Sequence, residues 1–202
     1  MLKIRFLNSA LNLYKIKLFF SLLFVIVFSS TSYGDTKLII LGSGTPNPDP
    51  QRYGSGYAIV VNESAYIVDF GPGIVRRISA MSPTWGGEFP SMELQKINIA
   101  FLTHIHSDHS GALADLILTP WIMGRNEPLK LYGPPGLDSM SKNITEAYID
   151  DINYRLYGSQ PANKLGYTTE VSEITDDGVI FKDDNVKAVS YTHLTLPTKR
   201  IV

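Results

Sequence analysis

The sequence predicts an α/β fold. Short apolar runs of strand character alternate with segments of helical spacing. Clusters of glycine and proline separate them. One apolar run, residues 97–102, ends in a dense group of histidines and an aspartate. Alternation of strand and helix signals is the pattern of a layered α/β domain.

The elements follow in order. Residues 37–41 read as a short apolar strand. A Gly/Pro-rich loop of fifteen residues, 42–56, comes next. Ordinary connections are shorter, so this length suggests a functional loop. Residues 57–61 and 65–70 read as a hairpin about Asn62, Glu63 and Ser64. The glycines at 71 and 73 break the chain before a helix over 74–81. Residues 82–90 form a loop, and 97–102 a strand that is apolar apart from Asn98. A helix is expected over 110–122, with Leu113, Leu116 and Ile117 on one face. Its positive end would favour anionic ligands beside the histidines. After a strand over 129–132, residues 136–157 read as one long helix. Met140, Ile144, Tyr148 and Ile152 recur there at helical spacing and suit packing. Residues 158–167 form an irregular connection, and strands are expected over 168–174, 178–181 and 186–189.

The chemistry concentrates in T-H-I-H-S-D-H at 103–109. The chain has four histidines, and three are here. Imidazole and carboxylate are ligands for zinc and similar divalent ions. His104 and His106, two apart, can face one ion. Asp108 and His109 can face a second beside it. That density points to two metals rather than one structural zinc. Tyr53, Trp121 and Arg125 either line a substrate cleft or serve packing and surface. Asp69 either holds the metal loop by hydrogen bonds or is a simple turn aspartate.

H-x-H-x-D-H resembles the signature of the metallo-β-lactamase superfamily. Further segments are similar to its ribonuclease Z and arylsulfatase-like branch: L-G-S-G-T-P-N-P-D-P-Q-R at 41–52, the D-x-G-x-G turn at 69–73, and L-K-L-Y-G-P-P-G at 129–136. The resemblance runs from about residue 37 to about 186. It implies an αββα sandwich, of which this chain would hold the N-terminal half to two-thirds. It also implies zinc, two ions in the full-length protein, and makes Asp108 the catalytic residue that orients or deprotonates the attacking water. A complete site of this family needs a third histidine, a bridging aspartate and a late histidine downstream, and none can be assigned here.

Both ends stand apart. Residues 1–34 read as a secretory signal, with Lys3, Arg5, Lys15 and Lys17 before an apolar run at 18–28. Cleavage before Asp35 would place the protein in the periplasm or outside the cell, without stable membrane insertion. Retention would make the same segment an anchor, although a spanning helix wants about 20 apolar residues. Residues 189–198, V-S-Y-T-H-L-T-L-P-T, resemble a translated transposase adapter used in preparing sequencing libraries. Residues 189–202 are therefore expected to be a non-native tail, with native sequence lost near residue 188. His193 is not counted as a ligand. The expected domain spans 35–188. The chain has no cysteine, so it has no disulfide or acylated cysteine.

Charge bears on the substrate. All 19 acidic residues follow Gly34, and four of the 18 basic ones lie in the signal and two in the tail. Twelve basic against 19 acidic residues leave the expected domain near −7. Polyanion binding usually needs a basic surface. The expected partner is accordingly a small ester, an aryl sulfate, phosphodiester or lactone, with nucleic acid disfavoured. The alternatives are ribonuclease Z-type processing of transfer RNA 3′ ends, or a truncated metal-binding protein without catalysis. The sequence carries no signal for oligomeric state.

Overall fold

The computed structural model describes residues 35–159 and 161–191. The expected signal at 1–34, His193 and most of the expected tail lie outside the described residues. Strands β1 (Thr36–Gly42), β2 (Gly56–Val61) and β3 (Ser64–Val68) open the fold. Helix α1 (Ile74–Ala80) follows, then β4 (Ile99–Phe101). A one-turn helix α2 (Ser107–Ser110) precedes α3 (Leu113–Ile122) and β5 (Leu129–Gly133). Helices α4 (Leu137–Ala147) and α5 (Ile149–Tyr157) lead to β6 (Thr169–Glu173), β7 (Gly178–Lys182) and β8 (Lys187–Ser190).

Strands β1 to β6 form one sheet in chain order. The β1–β2 and β2–β3 pairs are antiparallel, and the pairs from β3 to β6 are parallel. Asn62 turns the β2–β3 hairpin at φ 54, a left-handed conformation that asparagine tolerates. The parallel strands are joined by helices, as such crossovers require. Strand alternation then sorts the side chains. Ala58, Val60, Ile67, Ala100, Leu129 and Leu131 are buried with the helical face of Ile74, Ile78, Leu113, Leu116 and Ile117. Each valine, leucine or isoleucine among them contributes roughly 1.5–3 kcal/mol on full burial.

On the other face β7 and β8 form a separate two-stranded sheet. Phe181 of β7 lies 5.8 Å from the Phe101 ring, 5.4 Å from Tyr132 and 6.1 Å from Tyr66. Tyr66 donates its hydroxyl to Asp183 at 2.5 Å, pinning the hairpin to β3. Layers of helix, sheet and sheet are therefore described, in keeping with the expected part of an αββα sandwich. Val189 and Ser190 of β8, expected to begin the tail, pair with Val179 and Gly178 of β7.

Two expected helices are broken. The helix expected over 136–157 divides at Tyr148, whose φ of −102° and ψ of 14° leave the helical region. The bend lets α5 bury Ile152 and Leu156 while Tyr148 stays 44% exposed. The helix expected over 110–122 is two pieces with Gly111 and Ala112 between them. A continuous helix would bond the Ala112 N–H to the Asp108 carbonyl. Instead Ala112 donates to Phe70 at 2.9 Å, and the Asp108 carbonyl accepts from Ser55 at 2.9 Å. The strand expected over 97–102 shortens to Ile99–Phe101 because a 3₁₀ turn, Leu94–Lys96, reaches Ile97. Other boundaries move by one or two residues.

Candidate metal centre

The parallel strands β3, β4 and β5 end on one side of the sheet, where an α/β fold collects its ligands. β3 delivers Asp69 and β4 delivers the segment from Thr103 to His109. The loop between β4 and α3 is gripped by backbone bonds from distant segments. Ser55 donates to Asp108, and Phe70 donates to His109 at 2.7 Å. Gly71 is required there, since a Cβ would collide with the Asp108 carbonyl oxygen.

Within that grip the predicted residues come together. The His104 ring lies 4.7 Å from His106 and 4.0 Å from His109, centroid to centroid. His106 caps α2 in an extended conformation, and its carbonyl accepts from His109 and Ser110, both at 2.9 Å. The Asp108 Oδ2 atom lies 3.4 Å from His109 Nε2. Asp108 Oδ1 is buried without a hydrogen-bond partner. A buried polar atom left unpaired costs about 1–3 kcal/mol, so such an atom calls for an explanation.

Asp69 is the hinge of the arrangement. It is 2% exposed and sits at φ 60. Its Oδ1 accepts the Thr103 N–H at 2.8 Å, and its Oδ2 contacts His109 Nδ1 at 2.7 Å. Of the two open readings, the one in which Asp69 holds the metal loop is the one observed. Thr103 was missed in the sequence. Its signal was its place between an apolar strand and the first histidine.

The donor set suits divalent metal ions. Imidazoles and a carboxylate are zinc ligands, and the unpaired Asp108 oxygen is the kind of atom a cation would satisfy. The number of donors is small. Among the described residues no group of three or more His, Cys, Asp or Glu side chains is arranged to hold a metal by itself. His104 and His106 would serve one ion, and Asp108 and His109 the other, each with about two protein ligands where three is usual.

The remaining candidates lie elsewhere. Trp121 and Arg125 are buried at 1% and 0% exposure and belong to the core, not to a cleft. Tyr53 is 44% exposed. Its ring packs where a Cβ on Gly73 would sit and lies 5.4 Å from the Arg77 guanidinium.

The sequence model of the Metallo-beta-lactamase superfamily matches residues 49–190, and the chain belongs to that family. It is 32% identical over 157 residues to a ribonuclease Z of Mycolicibacterium gilvum (strain PYR-GCK), covering 74% of this chain and 50% of that protein. It is 31% identical over 153 residues to a ribonuclease Z of Mycobacterium marinum, covering 74% of this chain and 51% of that one. The chain thus spans about half the length of the curated relatives it matches. The crystal structure of human tRNase Z, short form, superposes with a TM-score of 0.54 at 20% identity, over 73% of this chain and 56% of that one. This likeness supports the fold.

The expectation of a small-molecule ester as partner, with nucleic acid disfavoured, is overturned. The relatives at 31–32% identity are ribonuclease Z proteins. The expectation rested on a net charge summed over residues 35–188. A sum over one stretch of chain says nothing about where the charges sit, and this chain covers only half of its relatives.

Proposed function

We propose that the chain carries the metal-binding half of a ribonuclease Z-type hydrolase, cleaving a phosphodiester of RNA at the 3′ end of transfer RNA precursors. The observation that carries it is the cluster of His104, His106, Asp108 and His109, with one Asp108 oxygen buried and unpaired. The names of the relatives supply the substrate class.

Two zinc ions, when bound, would polarise the scissile phosphoryl oxygen and acidify water. The chain's own residues then have separate tasks. His104 and His106 hold one side of the site and His109 the other. Asp108, 3.4 Å from His109, would orient the attacking water or accept its proton. Asp69 and the backbone donors Ser55 and Phe70 keep that loop from moving as charge develops. The export expected from residues 1–34 stands beside this reading and is tested by sequencing the N-terminus of the processed chain.

The test uses this chain and the same chain continued by its genomic coding sequence past residue 188. Each is loaded with zinc and given a transfer RNA precursor with a 3′ extension. Cleavage at the 3′ side by the continued chain, abolished by Asp108→Ala, is expected. Zinc retention without cleavage by the continued chain would replace the reading with that of a non-catalytic metal-binding protein.

A further inference from the structure

One carboxylate reaches two of the histidines by different routes. Asp69 Oδ2 contacts His109 Nδ1 directly at 2.7 Å. Asp69 also contacts the Thr103 hydroxyl, at 2.9 Å through Oδ1 and 3.0 Å through Oδ2. The same hydroxyl lies 3.0 Å from His104 Nδ1.

Donor and acceptor counting resolves the directions. A carboxylate only accepts, so the single hydroxyl proton of Thr103 goes to Asp69. The Thr103 oxygen then has lone pairs alone to offer His104, so His104 Nδ1 carries a proton. By the same count His109 Nδ1 carries the proton donated to Asp69. The reverse assignment would leave two lone pairs facing each other at 3.0 Å and at 2.7 Å. Asp69 is 2% exposed, so water does not compete for it.

We propose that Asp69 is a positioning residue that sets the tautomer of both His104 and His109, the first through Thr103 and the second directly. Both Nε2 atoms then carry the lone pairs a metal would take, that of His109 lying 3.4 Å from Asp108 Oδ2. Thr103 acts as a relay that copies the orientation of one buried carboxylate onto a second ring. His106 has no part in this chain of bonds, which separates it from the other two. The proposal rests on the reading of His104 and His109 as metal ligands, and its test is made without metal.

The experiment is long-range ¹H–¹⁵N spectroscopy of the imidazoles in the metal-free, ¹⁵N-labelled chain, above the ordinary imidazole titration range. His104 and His109 are both expected as the Nδ1–H tautomer. Thr103→Val keeps the shape of the side chain and removes the relay. It is expected to shift His104 toward the Nε2–H form while His109 is unchanged. Thr103→Ser restores the relay and should return His104 to Nδ1–H. Zinc affinity should fall roughly 10–100-fold in Thr103→Val and recover in Thr103→Ser. A His104 that stays Nδ1–H in Thr103→Val overturns the proposal. So does a joint shift of His104 and His109, which would mean that the variant merely loosens the loop. Correct tautomers in a wild-type chain that binds no zinc would leave the proposal standing and defeat the metal reading instead.

Discussion

Arg125 supplies the proton that Pro120 lacks. Pro120 lies inside α3 and has no N–H for the Leu116 carbonyl four residues back. The Arg125 Nη1 atom donates to that carbonyl at 3.1 Å and to Ile97 at 3.1 Å, and Nη2 donates to Ile117 at 2.7 Å. Nε and Nη2 both donate to Gly166, at 3.2 and 2.7 Å. The guanidinium is fully buried, and burial pulls its pKa down to about 10, so it remains charged at neutral pH. Arg125→Met should be among the most destabilising single changes, since each buried carbonyl left unpaired costs roughly 1–3 kcal/mol. Urea denaturation measures it. Pro120→Ala restores the missing N–H, so the double variant should lose less than the sum of the singles. Strict additivity would show that the two residues do not compensate.

Asp108 should trade stability for metal. Asp108→Ala removes a buried oxygen without a partner. The metal-free variant is expected to be as stable as the parent or up to about 1 kcal/mol more so. Its zinc content after dialysis should fall at least tenfold, the lower bound seen even for groups that only support a ligand. Thermal melts with and without zinc show both effects. A variant that loses stability and keeps its zinc would remove Asp108 from the site.

Gly71→Ala should damage the metal loop from outside it. The added Cβ meets the Asp108 carbonyl oxygen and the backbone of Ser55 and Gly54. Overpacking of this kind typically costs about 1–3 kcal/mol. The loop moves with it, so zinc binding should weaken along with stability. A proportionate loss of both is the expected outcome of combined denaturation and metal titration.

The β7–β8 hairpin should have a pH window. Burial, and then the bond to Asp183, hold the Tyr66 hydroxyl above the ordinary tyrosine range. A group raised in this way stabilises below its unfolded value and loses that contribution as pH rises through the folded one. Burial works to raise Asp183, but bonds from Tyr66, Val186 and Asn185 prevail and hold it below the usual carboxylate range. Its contribution is present above the unfolded value and is lost as pH falls through the folded one. Docking should therefore be firm between about pH 4 and pH 10. Amide exchange in β7 and β8 reads this out. Tyr66→Phe should abolish the alkaline limb.

The candidate site was largely legible because its signals are local. Six consecutive residues carry three histidines and an aspartate, and no folding is needed to see that chemistry. Thr103 was not legible, because its role depends on a carboxylate 34 residues away. Ser55 was hidden for the same reason, and Gly71, visible as part of the turn at 69–73, gave no sign of its contact with Asp108. Their contribution is a backbone contact, which leaves no mark on side-chain pattern.

The sequence by itself determined the order of strands and helices, the buried face of α3 and the identity of the four clustered donors. Periodicity and residue chemistry are properties of neighbours along the chain. The tertiary structure alone decided where helices break and which way the donors face. Ala112 gives its N–H to Phe70 rather than to Asp108, and that exchange separates α2 from α3. Tyr148 leaves the helix so that Ile152 reaches the core. Both choices hinge on partners brought close only by folding, where a distant carbonyl or a buried surface outweighs the next turn of helix.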